Sequence, residues 1–177
     1  MSGENIDKII SDGARRLHID ELSRMRLRYS VLEKSIPALS GVGIREILKL
    51  KLPRDVKREA VEAQGMIKAH ELYFSSFAGG ICRCDRIKEH HTSENAFLYD
   101  IMREALPFGE GFCFLMMGRS GVYHFLTKMP CEAFIKPFAT PVLALDLYEH
   151  AYFIDYGFER EEYLKRALSF WNLTLIK

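Results

Sequence analysis

The sequence contains no long apolar run and no excess of one charge sign. It has 177 residues, with 25 Lys and Arg against 24 Asp and Glu, so its formal net charge is +1. No stretch reaches the roughly 18 apolar residues that a membrane span requires. A charge so close to zero argues against a surface field that attracts nucleic acid or a membrane. We therefore expect neither a nucleic-acid nor a membrane partner.

Cysteine is also scarce, and the N-terminus has no apolar segment followed by a cleavage site, so no export signal is indicated. The four cysteines are Cys82, Cys84, Cys113 and Cys131. Without an export signal they are expected to be reduced thiols rather than a disulfide framework. These features predict a cytoplasmic protein, and a hydrophobic content of 48% predicts a globular one.

The first 80 residues have helical periodicity. Apolar residues recur at three- and four-residue steps over residues 1–35, where Gly13 and the Ile19-Asp-Glu segment are candidate breaks. A short helix is predicted from about residue 44 to residue 52. A long amphipathic helix is predicted from Arg54 to Phe77. The Gly- and Cys-containing segment that begins at Ala78 then interrupts the pattern.

The periodicity changes in the second half of the chain. A helix capped by Thr92 or Ser93 is expected to end before Pro107. Residues 111–117 and 122–127 predict two strands joined by a turn, residues 142–146 a third strand, and residues 160–175 a final helix. This order indicates an α+β fold. It would consist of an N-terminal helical lobe (residues 1–80), a linker (81–91) and a C-terminal lobe (92–177) with a small three-stranded antiparallel sheet flanked by helices.

Three residues in this pattern are candidate metal ligands. His70 lies on the apolar face of the long predicted helix, Asp146 ends the third predicted strand, and His150 follows four residues later. Such side chains are costly in apolar surroundings unless they are hydrogen-bonded or bind a metal. Two imidazoles and one carboxylate are a sufficient ligand set for Fe, Mn or another divalent metal. Spacing alone also allows each of them a purely structural role.

A longer motif surrounds Asp146 and His150. The segment Asp146-Leu-Tyr-Glu-His-Ala-Tyr152 resembles the signature Asp-x-Trp-Glu-His-Ala-Tyr of the iron/manganese superoxide dismutases. Similarity continues through Tyr156 and through Phe170-Trp-Asn172. Ala69-His70-Glu-Leu-Tyr73 and Phe108-Gly-Glu-Gly-Phe112 are similar to further motifs of that family, in the same order. The resemblance covers roughly residues 54–177 and implies the fold of that family.

The resemblance also implies a function. His70, Asp146 and His150 would be three of four protein ligands to one Fe or Mn ion, which alternates between its trivalent and divalent states while superoxide is converted to oxygen and hydrogen peroxide. Tyr148, in place of the signature tryptophan, and Glu149 would be catalytic residues beside the metal. Glu149 would reach toward the ligand histidine of a partner subunit, so a homodimer through the Glu149–His150 region is implied.

The N-terminal part departs from the family pattern. The fourth ligand is expected within a first-helix segment like His-Tyr-x-Lys-His-His-x-x-Tyr, and no such segment occurs. His18 is the only earlier histidine, with neighbours that do not match. A loose alignment of Tyr29-Ser-Val-Leu-Glu33 with the family instead places Ile44 at the missing ligand. Glu46 would then be the nearest carboxylate, so His18 and Glu46 are both candidate substitutes.

Further expected side chains are absent. The first-helix tyrosine and the second histidine have no counterparts, and Met66 stands where a glutamine is expected four residues before His70. Gln64 is predicted to point elsewhere on the helix. Phe153 replaces a tyrosine that pairs with the absent second histidine of the other subunit. Losing both members of that pair leaves no unsatisfied buried group, which indicates a coherent divergent subfamily.

Two other hypotheses remain open. Cys82, Cys84, His90 and His91 could together hold zinc, although their spacing is unlike the familiar zinc motifs. His124, between two aromatic residues on a predicted strand, is expected to be structural. For the whole chain, the alternatives to a dismutase are a catalytically altered or inactive metal-binding homologue with an incomplete ligand set, and a metal-free structural or partner-binding module.

Overall fold

The computed structural model describes residues 5–77, residue 87 and residues 91–176, without the side chain of residue 175. Within those residues, the helices and strands are, in chain order, α1 (Asp12–Ser35), α2 (Ile44–Ile47), α3 (Arg54–Ser75), α4 (Glu94–Phe108), β1 (Phe112–Gly118), β2 (Gly121–Thr127), α5 (Cys131–Ile135), β3 (Ala139–Asp146), α6 (Glu149–Tyr156) and α7 (Arg160–Ser169). Short 3-10 turns cover Ile6–Lys8, Pro37–Leu39 and Leu173–Leu175.

Helix α1 is continuous through Ile19, so the predicted break there is wrong, whereas the chain does pass from a 3-10 turn to α1 just before Gly13, at Ser11. Its N-terminus is capped by the Ser11 hydroxyl, which accepts a hydrogen bond from Ala14 N. Gly13 is the second residue of the helix and therefore lies where the chain is only beginning to turn. The buried positions of α1 follow a helical spacing and make one face: Ala14, His18, Leu22 and Tyr29.

The sheet has the predicted three antiparallel strands, in the order β2-β1-β3. Phe112 at the start of β1 is paired with Thr127 at the end of β2 and with Asp146 at the end of β3. Pro141 lies within β3, where the register shifts opposite Leu115 and Met116. Proline is tolerated there because β3 is an edge strand with an irregular register. Asp146 therefore ends its strand at one border of the sheet.

Two hydrophobic clusters surround these elements. The larger cluster joins the sheet to the C-terminal part of α3 and to α4, α6 and α7. The smaller one lies among α1, α2, α3 and α5. The two halves of the chain are also joined by Ser76, whose hydroxyl donates to Leu72 O and accepts from Ala144 N at 2.8 Å. The N-terminal helices are thereby held against the edge of the sheet.

The α+β arrangement predicted from the sequence is confirmed, although α5 and α6 were not anticipated as helices. Most of the predicted linker, residues 81–91, lies outside the described residues, and the division into two lobes stays a prediction. No helix in the described ranges is both long and apolar enough to cross a membrane.

Candidate metal centre

Four side chains from four elements meet beside the end of β3. His18 comes from the buried face of α1, His70 from the last turns of α3, Asp146 from the end of β3, and His150 from the first turn of α6. The side chains of the first three are 0% exposed and that of His150 is 26% exposed. Three members of the cluster are therefore fully buried, and His150 is the member that reaches solvent.

The four side chains point toward the same place. Oδ2 of Asp146 lies 3.2 Å from His18 Nε2, 3.1 Å from His150 Nε2 and 3.5 Å from His70 Nε2. The Nε2 atoms of His70 and His150 are also 3.5 Å apart. Among the described residues, His18, Asp146 and His150 are the group whose ligand atoms all lie within 4.8 Å of one another. Three imidazole nitrogens thus face a single carboxylate oxygen.

Backbone contacts determine which nitrogen each imidazole presents. Nδ1 of His18 lies 3.3 Å from Ala14 O, and Nδ1 of His70 lies 2.9 Å from Met66 O. Because a carbonyl oxygen only accepts hydrogen bonds, Nδ1 must hold the ring proton in both residues. In the neutral ring the Nε2 lone pair is then free and directed at the cluster. A metal-binding histidine has this same arrangement, with its second nitrogen donating to a carbonyl or carboxylate.

Asp146 is held so that only one of its oxygens faces the imidazoles. Its Oδ1 accepts a hydrogen bond from Tyr148 N at 2.9 Å. Its backbone carbonyl accepts one from the hydroxyl of Tyr163 at 2.7 Å. Burial raises the pKa of Tyr163 well above its ordinary value, so this hydroxyl keeps its proton and remains a donor. The remaining oxygen, Oδ2, is left to the three histidines.

The pKa shifts of Asp146 and His70 favour the protonation states in which these side chains bind a metal. Burial opposes the ionisation of Asp146, but its interactions with the neighbouring His150 and His18 imidazoles outweigh burial and lower the pKa of the carboxyl. Burial lowers the pKa of His70, which favours its neutral form. Burial also acts to lower the pKa of His150, but its hydrogen bond to Asp146 raises it overall. At neutral pH the cluster therefore contains an ionised carboxylate, and His70 is a neutral imidazole with a free lone pair.

The separations between these atoms fit a single metal ion. Bonds from a divalent transition metal to imidazole nitrogen or carboxylate oxygen are about 2.0–2.2 Å long. Two such ligand atoms that subtend 90° to 120° at the metal lie about 2.9–3.7 Å apart. The observed separations of 3.1, 3.2 and 3.5 Å are within this range. Each of these pairs could therefore share one ion. His18, Asp146 and His150 form the group whose ligand atoms all lie within 4.8 Å of one another, and His70 adjoins it through Asp146 and His150.

Comparison with known proteins assigns the chain to a family. Residues 83–177, more than half of the sequence, match the model of the C-terminal domain of iron/manganese superoxide dismutases. The chain belongs to the iron/manganese superoxide dismutase family. The superoxide dismutase [Mn] of Thermus thermophilus is 26% identical to it over 153 residues, which cover 81% of this chain and 73% of the relative. Membership of this family implies an iron or manganese ion.

All three predicted ligands lie in the cluster, and His18, one of the two candidate substitutes, lies there with them. Glu46, the other candidate substitute, is exposed on α2. The alignment that placed Ile44 at the family's missing position is wrong, because Ile44 packs with Tyr29 and Leu39 in the smaller hydrophobic cluster. The sequence did contain one indication that His18 is buried. Its helical spacing with Ala14 and Leu22 places it on the buried face of α1.

The other departures from the iron/manganese superoxide dismutase pattern can now be placed. If His18 were the first-helix ligand, the motif spacing would put Leu22 at the position of the absent second histidine and Arg26 at that of the absent tyrosine. Leu22 is buried, and Arg26 makes an exposed ion pair with Glu71 at 2.7 Å. Gln64 points away from the cluster, as predicted, since its amide donates to the Tyr29 hydroxyl and to Val42 O.

Tyr148 and Glu149 border the candidate centre. The ring of Tyr148 stacks on that of His150 with centroids 5.7 Å apart. Glu149 is exposed at the start of α6. Their positions next to a candidate ligand agree with the expectation from the family, while their catalytic roles stay predictions.

Three of the four residues in the zinc hypothesis, Cys82, Cys84 and His90, lie outside the described residues, so that hypothesis stays a prediction. The fourth member, His91, lies with its ring 4.5 Å from that of Phe97. His124 contacts Glu104 at 2.8 Å. This pairing gives His124 the structural role expected of it.

Proposed function

We propose that this protein is a superoxide dismutase with one iron or manganese ion held by His18, His70, Asp146 and His150. The observation that supports the proposal best is the approach of three imidazole Nε2 atoms to Asp146 Oδ2 at 3.1–3.5 Å. Two of these imidazoles are buried and oriented by backbone carbonyls, so their ligand atoms are positioned before a metal binds.

The overall reaction converts two superoxide ions and two protons to one molecule of oxygen and one of hydrogen peroxide. The metal would supply the one-electron redox chemistry that no side chain of this site offers. The protein holds the ion with one carboxylate and three neutral donors. It also buries the side chains of His18, His70 and Asp146 completely, and the partly exposed His150 leaves an approach for a small substrate.

A metal-binding homologue without dismutase activity is the second candidate. Leu22, Arg26 and Met66 stand where the family pattern has a histidine, a tyrosine and a glutamine. Leucine and methionine side chains do not deliver protons or donate hydrogen bonds to a metal-bound solvent. This candidate shares the metal site with the first and differs from it only in turnover.

Metal analysis of purified protein, coupled to a superoxide consumption assay, tests both candidates. We expect about one Fe or Mn per chain after expression with either metal, and at least about a tenfold loss of bound metal in Asp146→Ala and His150→Ala. His124→Ala is the matched control, since it removes a histidine that contacts Glu104 outside the cluster. Dismutase activity in the metal-loaded protein would favour the first candidate over the second.

Three outcomes would count against these proposals. Less than about one metal per ten chains, with no thermal shift on adding Mn or Fe, would contradict both metal-dependent functions and favour a metal-free module. Undiminished metal binding in Asp146→Ala would contradict the assignment of the site. A full complement of metal without measurable dismutase activity would leave the second candidate as the function.

We also propose that the protein forms a homodimer through the Glu149–His150 region. Glu149 is exposed, and Nδ1 of His150 makes no hydrogen bond within the described residues, so the carboxylate of a second copy could accept one from it. Exposed apolar side chains lie nearby in sequence, including Phe153 at 47% and Phe158 at 94%. We expect a dimer by light scattering and a monomer for Phe153→Lys, because a charge would be buried at the interface.

A further inference from the structure

A pair of buried tyrosines lies directly behind the candidate metal centre. Tyr73 is on α3, three residues after His70, and Tyr163 is on α7. Both are 0% exposed, and their hydroxyl oxygens are 3.5 Å apart. The pair therefore joins α7 to α3 immediately beneath the site.

Each tyrosine contacts a different candidate ligand. The Tyr163 hydroxyl donates to the backbone carbonyl of Asp146 at 2.7 Å. The ring of Tyr73 stacks on the imidazole of His18, with centroids 4.8 Å apart and planes at 16°. One contact fixes the end of β3, and the other supports a side chain from α1. Two ligands that are distant in sequence are thus supported by one pair of phenols.

We infer that Tyr163 is a positioning residue of the metal centre, holding Asp146 in the orientation that aims Oδ2 at the ion. The inference rests on the proposed function. Asp146 is the last paired residue of an edge strand, opposite Phe112, and Leu147 N donates to Gly111 O at 2.9 Å, so the Tyr163 contact completes a backbone that is held on both sides of the carbonyl. With its carbonyl held by Tyr163 and Oδ1 held by Tyr148 N, rotation about the Asp146 side chain is restricted to the arrangement that presents Oδ2.

Removing the Tyr163 hydroxyl would release one of these restraints without changing the ring. Outer contacts to metal ligands of this kind affect metal affinity by about 10–100-fold. We therefore expect Tyr163→Phe, loaded with Mn, to release its metal to a chelator at least about tenfold faster than the unmodified protein. We also expect the electron paramagnetic resonance spectrum of its bound Mn(II) to change, since the carboxylate ligand is reoriented.

Tyr29→Phe is the matched control. The Tyr29 hydroxyl also donates to a buried backbone carbonyl, that of Leu39 at 3.2 Å, but it lies in the smaller hydrophobic cluster. Both substitutions are expected to lower Tm by a similar amount, about 2–4 °C. Only Tyr163→Phe should change the rate of metal release and the Mn(II) spectrum, measured well below both Tm values. A purely structural role for Tyr163 would move Tm alone.

The outcomes separate this inference from the proposed function. Faster release in Tyr163→Phe with unchanged release in Tyr29→Phe would support the positioning role. Equal release rates in the unmodified protein and in Tyr163→Phe would overturn it and leave the metal site intact. A similar acceleration in both variants would also overturn it, since general loosening would then be the cause. An unmodified protein that retains no Mn or Fe would overturn the proposed function itself.

Discussion

Helix α1 and the junction between β3 and α6 each deliver an imidazole to Asp146, but in different ways. His150 reaches Asp146 across the short connection between β3 and α6, over four residues of chain. His18 reaches the same oxygen from 128 residues away. The first contact depends on local geometry at the start of α6. The second depends on how α1 packs against α3 and α6. One half of the centre is therefore built locally and the other half by tertiary packing.

The largest expected effect comes from testing the distant half directly. His18→Ala removes one of four donors, so we expect the metal content to fall at least about tenfold, roughly as far as in His70→Ala. Glu46→Ala is the matched control and should retain its metal, because Glu46 is exposed on α2. Metal analysis after purification measures both. A His18→Ala protein with full metal content would mean that the C-terminal residues and His70 suffice.

The difference between local and tertiary contacts also explains which parts of the fold and of the candidate site could be predicted from the sequence. The Asp146–His150 segment was recognisable because neighbouring residues have to match the turn from β3 into α6. The sheet was recognisable because its alternation and turn glycines are local signals. His18 could be named only as one of two candidate substitutes, because Arg16, Leu17 and Ile19 beside it are exposed and do not match the family motif. The one local signal was the helical spacing of His18 with other apolar residues, which indicates that it lies on the buried face of α1.

A second, smaller effect tests the packing of α3, the helix that carries His70 and lies against α1. Gly65 on α3 lies against the start of α5, and a Cβ there would be 2.5 Å from Cys131 N and 2.6 Å from Cys131 Cα. Because backbone atoms cannot give way as a side chain can, Gly65→Ala must push α3 and α5 apart. We expect a loss of about 1–3 kcal/mol in the free energy of unfolding, measured by urea denaturation.

Gly13→Ala is the control for that measurement. A Cβ at Gly13 would meet Ser11 Oγ at 3.5 Å and Ile154 Cγ2 at 3.8 Å, which are ordinary contacts. Alanine also restricts the unfolded chain, so this variant should be unchanged or more stable by up to about 1 kcal/mol. If Gly65→Ala were as stable as Gly13→Ala, the close approach of α3 to α5 would not be part of the native packing.

The smallest effect concerns the paired loss of a histidine on α1 and a tyrosine on α6. Leu22 is buried one turn after His18, so Leu22→His would bury a polar imidazole in place of an apolar side chain. We expect it to cost about 1–3 kcal/mol of unfolding free energy. Phe153→Tyr alone should cost little, because Phe153 is 47% exposed in the single chain.

The double variant decides whether the two positions meet across the proposed dimer. If they do, the new hydroxyl and imidazole can form one hydrogen bond, and the double variant should be more stable than the sum of the single effects by about 0.5–1.5 kcal/mol. Urea denaturation at one fixed protein concentration measures all four proteins, since dimer stability depends on concentration. If the changes in unfolding free energy were strictly additive, Leu22 and Phe153 would not meet across the dimer. The loss of the histidine and the loss of the tyrosine would then be independent events.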